Sequence, residues 1–133
     1  MLPALMRRRL VMLCLPLLAV GLVACGSKGI ELSKSDPEYG AAHLFTQHCG
    51  ACHTLNVAGT HGSAVKPQTR EYKDGPNFDQ RKEVKDQILY AIRNGGFSSG
   101  PMPQNILVGA QADQVAAFIA KYSGKERKTP PSP

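Results

Sequence analysis

The segment Cys49-Gly50-Ala51-Cys52-His53 carries the densest chemical information in this sequence. Two thiols stand three positions apart, and a histidine follows the second thiol directly. On one helical turn, residues at this spacing project from the same face. Thiols can add across vinyl groups, and an imidazole nitrogen is a common metal ligand. The five residues are therefore suited to holding a flat, metal-containing group by two covalent bonds and one coordinate bond.

Three other chemistries also use a C-x-x-C pair. A thioredoxin-like redox pair needs a βαβ context, which the sequence does not show. A disulfide between Cys49 and Cys52 would close a strained, short loop. A zinc site needs a second pair of ligands at suitable spacing, and the sequence offers only isolated histidines, His43, His48 and His61. Because C-x-x-C-H is the attachment signature of c-type haem, we predict one covalent haem c bound by Cys49 and Cys52, with His53 as an axial iron ligand.

Length and composition limit the classes of protein that remain. The chain has 133 residues, four cysteines and a formal net charge of +6. It is too short for a multidomain enzyme and has too few cysteines for a disulfide-dense scaffold. The excess of basic residues is small and no nucleic-acid motif accompanies it, so we expect no nucleic-acid partner.

The first 24 residues form an export signal in this interpretation. Three arginines at 7–9 precede an uncharged run of 15 residues, 10–24, which is too short for a spanning helix. The run ends in Leu22-Val23-Ala24-Cys25, which resembles a bacterial lipobox, and by that resemblance Cys25 becomes the lipidated N-terminus. An ordinary cleaved signal and an uncleaved anchor are the alternatives. Loss of residues 1–24 leaves 13 basic and 10 acidic residues, a charge of +3.

The rest of the chain divides into a tether at 25–35, a domain at 36–124 and a disordered tail at 125–133. The tether and tail are rich in polar or charged residues, and the tail also in proline. Apolar periodicity predicts three helices in the domain: one from a capping box of Ser35 and Glu38 to the cysteines, one over 79–94 and one over 110–122. Sustained alternation is missing, so no strand is predicted.

Met102 is the predicted second axial ligand. It is the only methionine after residue 24 and lies between Pro101 and Pro103, which stiffen the loop around it. The alternatives are a surface or core methionine, or ligation by a histidine. Since His43 and His48 lie on the helix before the cysteines, His61 is the principal competitor.

Between Pro37 and Tyr122 the sequence resembles the class I, monohaem cytochromes c. Besides C-x-x-C-H, the resemblance includes Gly40 and Phe45 at nine and four residues before Cys49, and Gly75-Pro76 and Met102-Pro103. It implies an all-α cytochrome c fold, with three or more helices and long loops around one haem. It also implies that Phe118 or Tyr122 crosses the N-terminal helix against a small residue.

The resemblance extends to residues around the haem. It implies that the Pro76 carbonyl accepts a hydrogen bond from the His53 ring. Phe78 and Ile92 are expected to contact the cofactor, within an apolar shell that also contains Phe45, Ile88, Phe97 and Ile106. The family's propionate-binding tryptophan is missing, and Arg70 or Tyr72 is the suggested substitute.

These features predict a monomeric one-electron carrier, and not an enzyme, at the outer face of a bacterial membrane or in the periplasm. Its expected partners are a redox donor and a redox acceptor, bound transiently, and the membrane through the lipid anchor, with no small-molecule substrate. Two alternatives stay open: a fixed cytochrome subunit of a larger oxidoreductase, and a haem sensor or peroxidase.

Overall fold

The computed structural model describes residues 29–97 and 100–125. Cys25, the export signal and the tail beyond Lys125 lie outside the described residues. Within the segment predicted as a tether, residues 30–32 pack on the domain: Ile30 and Leu32 contact the core, and the Glu31 N–H donates to the Val57 carbonyl at 3.0 Å.

Three helices dominate the described part of the chain, which confirms the all-α prediction. They are α1 (Tyr39–His48), α2 (Lys85–Asn94) and α3 (Gly109–Tyr122). Helix α3 packs against both of the others. Long irregular segments, 49–84 and 95–108, connect the helices and supply most of one large cavity described below.

The start of α1 differs from the predicted capping box. Ser35 makes no bond to the helix; its hydroxyl and that of Ser33 are 2.9 Å apart. Instead the Glu38 N–H donates to Asp36 Oδ1 at 2.8 Å, and Glu38 itself stands at the N-cap without a side-chain cap. An aspartate two residues earlier thus satisfies the free N–H, as Asx turns do.

Helix α2 begins six residues later than predicted, at Lys85. The preceding segment is held in an irregular path by the C-terminal end of α3, because the Gly124 N–H donates to the Phe78 carbonyl and the Glu83 N–H donates to Ser123 Oγ. Val84 is therefore the N-cap and 53% exposed, whereas Ile88 and Ile92 are buried as expected. Gly95 ends the helix in the left-handed conformation at φ +75°.

The crossing of α1 and α3 is made by phenylalanines. Phe118 is completely buried, and its ring centroid lies 6.4 Å from that of Phe45 and 5.0 Å from that of Tyr122. The resemblance did not say which small residue lies at the crossing, and Gly40 is not at a close contact: a Cβ atom there would meet nothing within 4 Å. The buried small residues of α1 are Ala41 and Ala42.

A short hairpin, which the sequence did not predict, follows the cysteines. Strand β1 (Thr54–Leu55) pairs antiparallel with β2 (Thr60–His61) around a 3₁₀ turn over Asn56–Ala58. Strands of two residues are too short to produce visible alternation. Thr46 of α1 donates from its hydroxyl to the Ala58 carbonyl at 2.8 Å, so the hairpin is fastened to α1.

Candidate functional site

One cavity of about 800 Å³ brings together the four side chains singled out by the sequence. Cys49, Cys52, His53 and Met102 all line it. The first three lie in the turn that follows α1, and Met102 lies in the loop between α2 and α3, which is distant in sequence. The predicted neighbours Pro76, Phe78 and Ile92 line the same cavity.

The two cysteines are held by a continuation of the helical hydrogen bonds. The N–H groups of Cys49 and Gly50 donate to the Phe45 carbonyl at 2.8 and 3.0 Å, and the His53 N–H donates to the Cys49 carbonyl at 3.0 Å. Gly50 has no space for a side chain, since a Cβ atom would stand 2.6 Å from Thr60. Residues 49–53 therefore form a compact turn that presents both thiols and the imidazole to the cavity.

Both thiols are free, and their environments differ. Cys49 is buried and Cys52 is half-buried. Burial first, and the nearby Cys52 second, raise the pKa of Cys49 to about 12. The direction of this shift is the one expected for sulfur in apolar surroundings.

The His53 ring is fixed from two sides. Its Nδ1–H donates to the Pro76 carbonyl at 3.1 Å, and Phe78 stacks on it with centroids 4.7 Å apart and planes within 8°. Burial lowers the pKa of His53, against the opposing effect of the Pro76 carbonyl. In the neutral ring with the proton on Nδ1, the Nε2 lone pair is available to a metal.

Gly75 allows the His53 ring to lie directly against the backbone. A Cβ atom on Gly75 would stand 2.3 Å from Cε1 of His53 and 2.6 Å from its Nδ1. The Gly75 N–H also donates to the Cys52 carbonyl at 2.8 Å. Residues 75–76 are thus joined to the cysteine turn by one bond and to the imidazole by another.

Met102 is partly buried against the core, and its loop is tied to the end of α2. The Asn105 N–H donates to the Ile92 carbonyl at 2.8 Å. Gly95 permits the close approach, because a Cβ atom there would stand 2.7 Å from the Met102 carbonyl oxygen. Pro101 and Pro103 flank the methionine and restrict its backbone.

The apolar part of the cavity wall differs from the predicted shell at one residue. Phe45 is not part of the wall. It lies behind Phe78, with ring centroids 6.0 Å apart. The other predicted members do line the cavity: Phe78, Ile88, Ile92, Phe97 and Ile106. Phe97 is 64% exposed, so the wall reaches the protein surface there.

The competing histidines are placed differently. His61 does not line this cavity; it borders a separate depression of about 200 Å³ beside Asn77 and Asp79. His43 is exposed on α1 and stacks on Tyr39. His48 lines the cavity from the last turn of α1, adjoining Cys49.

The cavity wall also carries polar and charged residues, which differ in burial. Arg70 and Tyr72, which the sequence suggested, line it and are exposed. Asp74 and Glu83, which sequence reasoning missed, also line it and are buried. The turn signal Asp74-Gly75-Pro76 could have indicated that Asp74 lies near the site. No local sequence pattern marks the burial of Glu83.

The described ranges, 29–97 and 100–125, lack two kinds of feature. They contain no group of three or more His, Cys, Asp or Glu side chains that could hold a metal ion. None of their helices has the length and apolar character needed to cross a membrane.

Comparison with known families places this geometry in context. The family model described as Cytochrome c matches residues 38–123. The chain belongs to the cytochrome c family. Among curated proteins, no sequence match to this chain was found.

Cytochromes c are electron-transfer proteins with covalently attached haem c, and this domain is one of them. The residues of the cavity fit that group. Two free thiols, an imidazole and a thioether line one apolar-walled space. The absence of a Cβ atom at Gly75 is what lets the imidazole occupy its place in the wall.

Proposed function

We propose that this cytochrome c is a one-electron carrier with a single haem, bound covalently through Cys49 and Cys52 and ligated by His53 and Met102. The observation that carries the proposal is the convergence of these four side chains on one cavity, with the His53 ring oriented by the Pro76 carbonyl. A single haem is supported by the single C-x-x-C-H segment of the sequence.

When bound, the haem supplies an iron centre that changes between ferric and ferrous states by one electron. The protein's part would be to ligate the iron through His53 and Met102 and to exclude water. His53 would bind through Nε2, because the Pro76 carbonyl holds the proton on Nδ1. Met102 as the second ligand would leave no place for a small substrate at the iron, and a methionine raises the reduction potential relative to a second histidine.

The apolar wall acts in the same direction as the methionine. Phe78, Ile88 and Ile92 are buried and line the cavity. Low polarity around a metal disfavours its more highly charged form. Electron transfer, with no substrate bound at the metal, is the activity that this arrangement suits.

For the location, we propose export and attachment of the mature chain to a bacterial membrane through lipid on Cys25, on its outer side. Support comes from the sequence: a basic start, a 15-residue uncharged run and a lipobox-like Leu22-Val23-Ala24-Cys25. The partners in this proposal are a redox donor and a redox acceptor that meet the domain transiently, and the domain itself is monomeric.

Substitution of Met102 tests the proposal. In Met102→Ala, haem stays covalently attached by mass spectrometry, but the reduction potential falls by roughly 0.1 V or more, within the range of about 0.8 V that axial ligands span. The ferrous variant binds carbon monoxide, and the ferrous wild type does not. His61→Ala is the matched control, with unchanged spectrum and potential.

Each opposite outcome has a definite meaning. An unchanged Met102→Ala spectrum together with an altered His61→Ala spectrum would assign the second ligand to His61. Ready binding of carbon monoxide by the ferrous wild type would favour a sensor or peroxidase. Copurification with stoichiometric catalytic subunits in mild detergent would favour the fixed-subunit alternative.

A further inference from the structure

Glu83 is a buried carboxylate on the cavity wall that the proposed function does not use. Its side chain is 5% exposed, and it lines the same cavity as His53 and Met102. A buried charge in a small domain is costly unless it has a partner.

The position of Glu83 is determined by the C-terminal end of α3. The Glu83 N–H donates to Ser123 Oγ at 3.0 Å. One residue earlier, Lys82 Nζ donates to the Ala120 carbonyl. The Lys82 backbone also lies close to Gly124, where a Cβ atom would stand 3.0 Å from the Lys82 Cα. This anchoring keeps the Glu83 backbone in place independently of its side-chain charge.

Arg81 is the ion-pair partner of Glu83. Arg81 Nε lies 2.6 Å from Glu83 Oε1, and Arg81 also lines the cavity. The two members of the pair are unequally buried, since the Arg81 side chain is 57% exposed. Water and salt screen the field of the guanidinium more than the field of the buried carboxylate. The pair therefore presents a net negative potential to the cavity.

The other buried carboxylate on the wall is more fully compensated. Asp74 accepts from the Glu71 N–H at 2.8 Å and from Lys73 Nζ at 2.9 Å. Lys73 is also 3.2 Å from Glu71, and Arg70 is a second cation near Asp74, so residues 70–74 carry two positive and two negative charges. The Asp74–Lys73 pair is as unequally buried, 6% and 56%, as the Glu83–Arg81 pair, but Asp74 also accepts a backbone N–H. We therefore take Glu83 as the main source of negative charge at the cavity.

We propose that Glu83 tunes the reduction potential, holding it below the value that Met102 and the apolar wall alone would set, and that Arg81 limits this effect. A negative charge in a low-dielectric wall stabilises the oxidised state, which carries one more positive charge than the reduced state. The inference rests on the proposed placement of the haem in this cavity. Glu83 acts on the potential through its field, so it is a positioning and tuning residue and not an iron ligand.

Charge-removing variants test the proposal in full-length, haem-loaded protein at about pH 8. Dithionite reduces the haem by one electron and ferricyanide oxidises it by one electron. No covalent bond forms or breaks in either step. In Glu83→Gln, the ratio of reduced to oxidised protein at fixed ambient potential rises about tenfold, which corresponds to about 59 mV. In Arg81→Gln, the ratio falls about threefold, and in the double variant it lies between those of the single variants.

A structural effect would give a different pattern, because loosening of the site would move both single variants in the same direction. Arg81→Lys keeps the positive charge, so its ratio of reduced to oxidised protein stays within about twofold of the wild-type ratio. Lys85→Gln and Asp113→Asn are matched controls, because this exposed pair, 3.3 Å apart, does not line the cavity. Neither control changes the ratio. Haem content by mass spectrometry and the spectrum of the second ligand are recorded for every variant.

Failure of this inference can be separated from failure of the proposed function. If haem is attached and Met102 is bound, but Glu83→Gln leaves the potential unchanged or moves it in the same direction as Arg81→Gln, the tuning role is wrong. If Glu83→Gln does not load haem, the reduction potential of Arg81→Gln still tests the proposal, because Arg81 is exposed. An unchanged potential in Arg81→Gln overturns the proposal. If the wild type carries no covalent haem, the proposed function fails and this inference fails with it.

Discussion

At residue 75, the space where a Cβ atom would stand is occupied by the His53 ring, 2.3 Å away at Cε1. In Gly75→Ala, the ring and the Pro76 carbonyl must separate. We expect a loss of about 1–3 kcal/mol in the free energy of unfolding, as for other overpacked sites. Denaturant unfolding of the haem-loaded protein measures it.

Gly40→Ala is the control, since a Cβ atom there meets nothing within 4 Å. This glycine lies inside α1, where alanine is favoured by about 0.5–1 kcal/mol. Gly40→Ala is therefore expected to raise the free energy of unfolding. Equal effects of the two substitutions would contradict the steric account of Gly75.

Asp74 predicts a pH dependence of stability. The Glu71 N–H first, and the Lys73 ammonium second, hold the pKa of Asp74 below its ordinary value of 3.8, while burial opposes them. The folded protein thus binds this proton less readily than the unfolded chain does. The stabilisation is present above the ordinary pKa and is lost as the pH falls through the lower folded pKa.

In Asp74→Asn this part of the pH dependence disappears. The difference in unfolding free energy between wild type and variant is constant near neutral pH and shrinks as the pH falls below about 4. Urea unfolding at a series of pH values measures it, with the exposed Asp113→Asn as control. A difference that stays constant down to about pH 2 would contradict the assignment.

At the scale of elements, the start of α1 gives a direct comparison of prediction and structure. The sequence suggests Ser35 as the cap, whereas Asp36 accepts the Glu38 N–H. We expect Asp36→Ala to cost about 1 kcal/mol of stability, because it removes one side-chain to backbone hydrogen bond, and Ser35→Ala to cost close to nothing. Thermal unfolding of both variants measures these two losses. A larger loss in Ser35→Ala than in Asp36→Ala would support the predicted capping box instead.

The three helices differ in how closely the sequence predicted them. The prediction for α3, 110–122, misses only the first residue of Gly109–Tyr122. The agreement is close because a full apolar stripe marks that helix. The start of α2 was placed six residues too early, since Val84 fits the four-residue period of Ile88 and Ile92. Two hydrogen bonds, from the Glu83 N–H to Ser123 Oγ and from the Gly124 N–H to the Phe78 carbonyl, exclude helix there, and such distant contacts leave no mark on local periodicity.

At the scale of the whole molecule, the proposed anchor and the haem domain are separable. If residues 1–25 are replaced by an ordinary cleavable secretory signal, we expect the haem-loaded domain to leave the membrane fraction and to lose incorporation of labelled fatty acid. The physical reason is that two or more acyl chains anchor strongly, at about 0.8 kcal/mol per buried CH₂.

Fractionation and fatty-acid labelling measure this outcome, with the native signal as control. Haem content is expected to be unchanged, because the cysteine turn at 49–53 lies far along the chain from the exchanged segment. Continued attachment of the exchanged protein to membranes would contradict anchoring through Cys25.

The sequence by itself determined the chemistry that is local in the chain. Cys49, Cys52 and His53 are adjacent in sequence, so one helical turn suffices to bring their side chains together. The same holds for the helical periods and for the stop at Gly95, because short-range backbone preferences set them. For the wall of the cavity, the family resemblance indicated Pro76, Phe78 and Ile92, all of which line it.

Only the tertiary structure decided which distant groups meet. Met102 and His61 were both possible ligands from the sequence, and the ties from Asn105 and Gly95 to α2 place Met102 at the cavity, while β-pairing places His61 outside it. The packing of separate elements also decides that Phe45 lies behind the cavity wall and that Glu83 lies in it. Burial depends on how separate elements pack, and no residue's own neighbours in sequence contain that information.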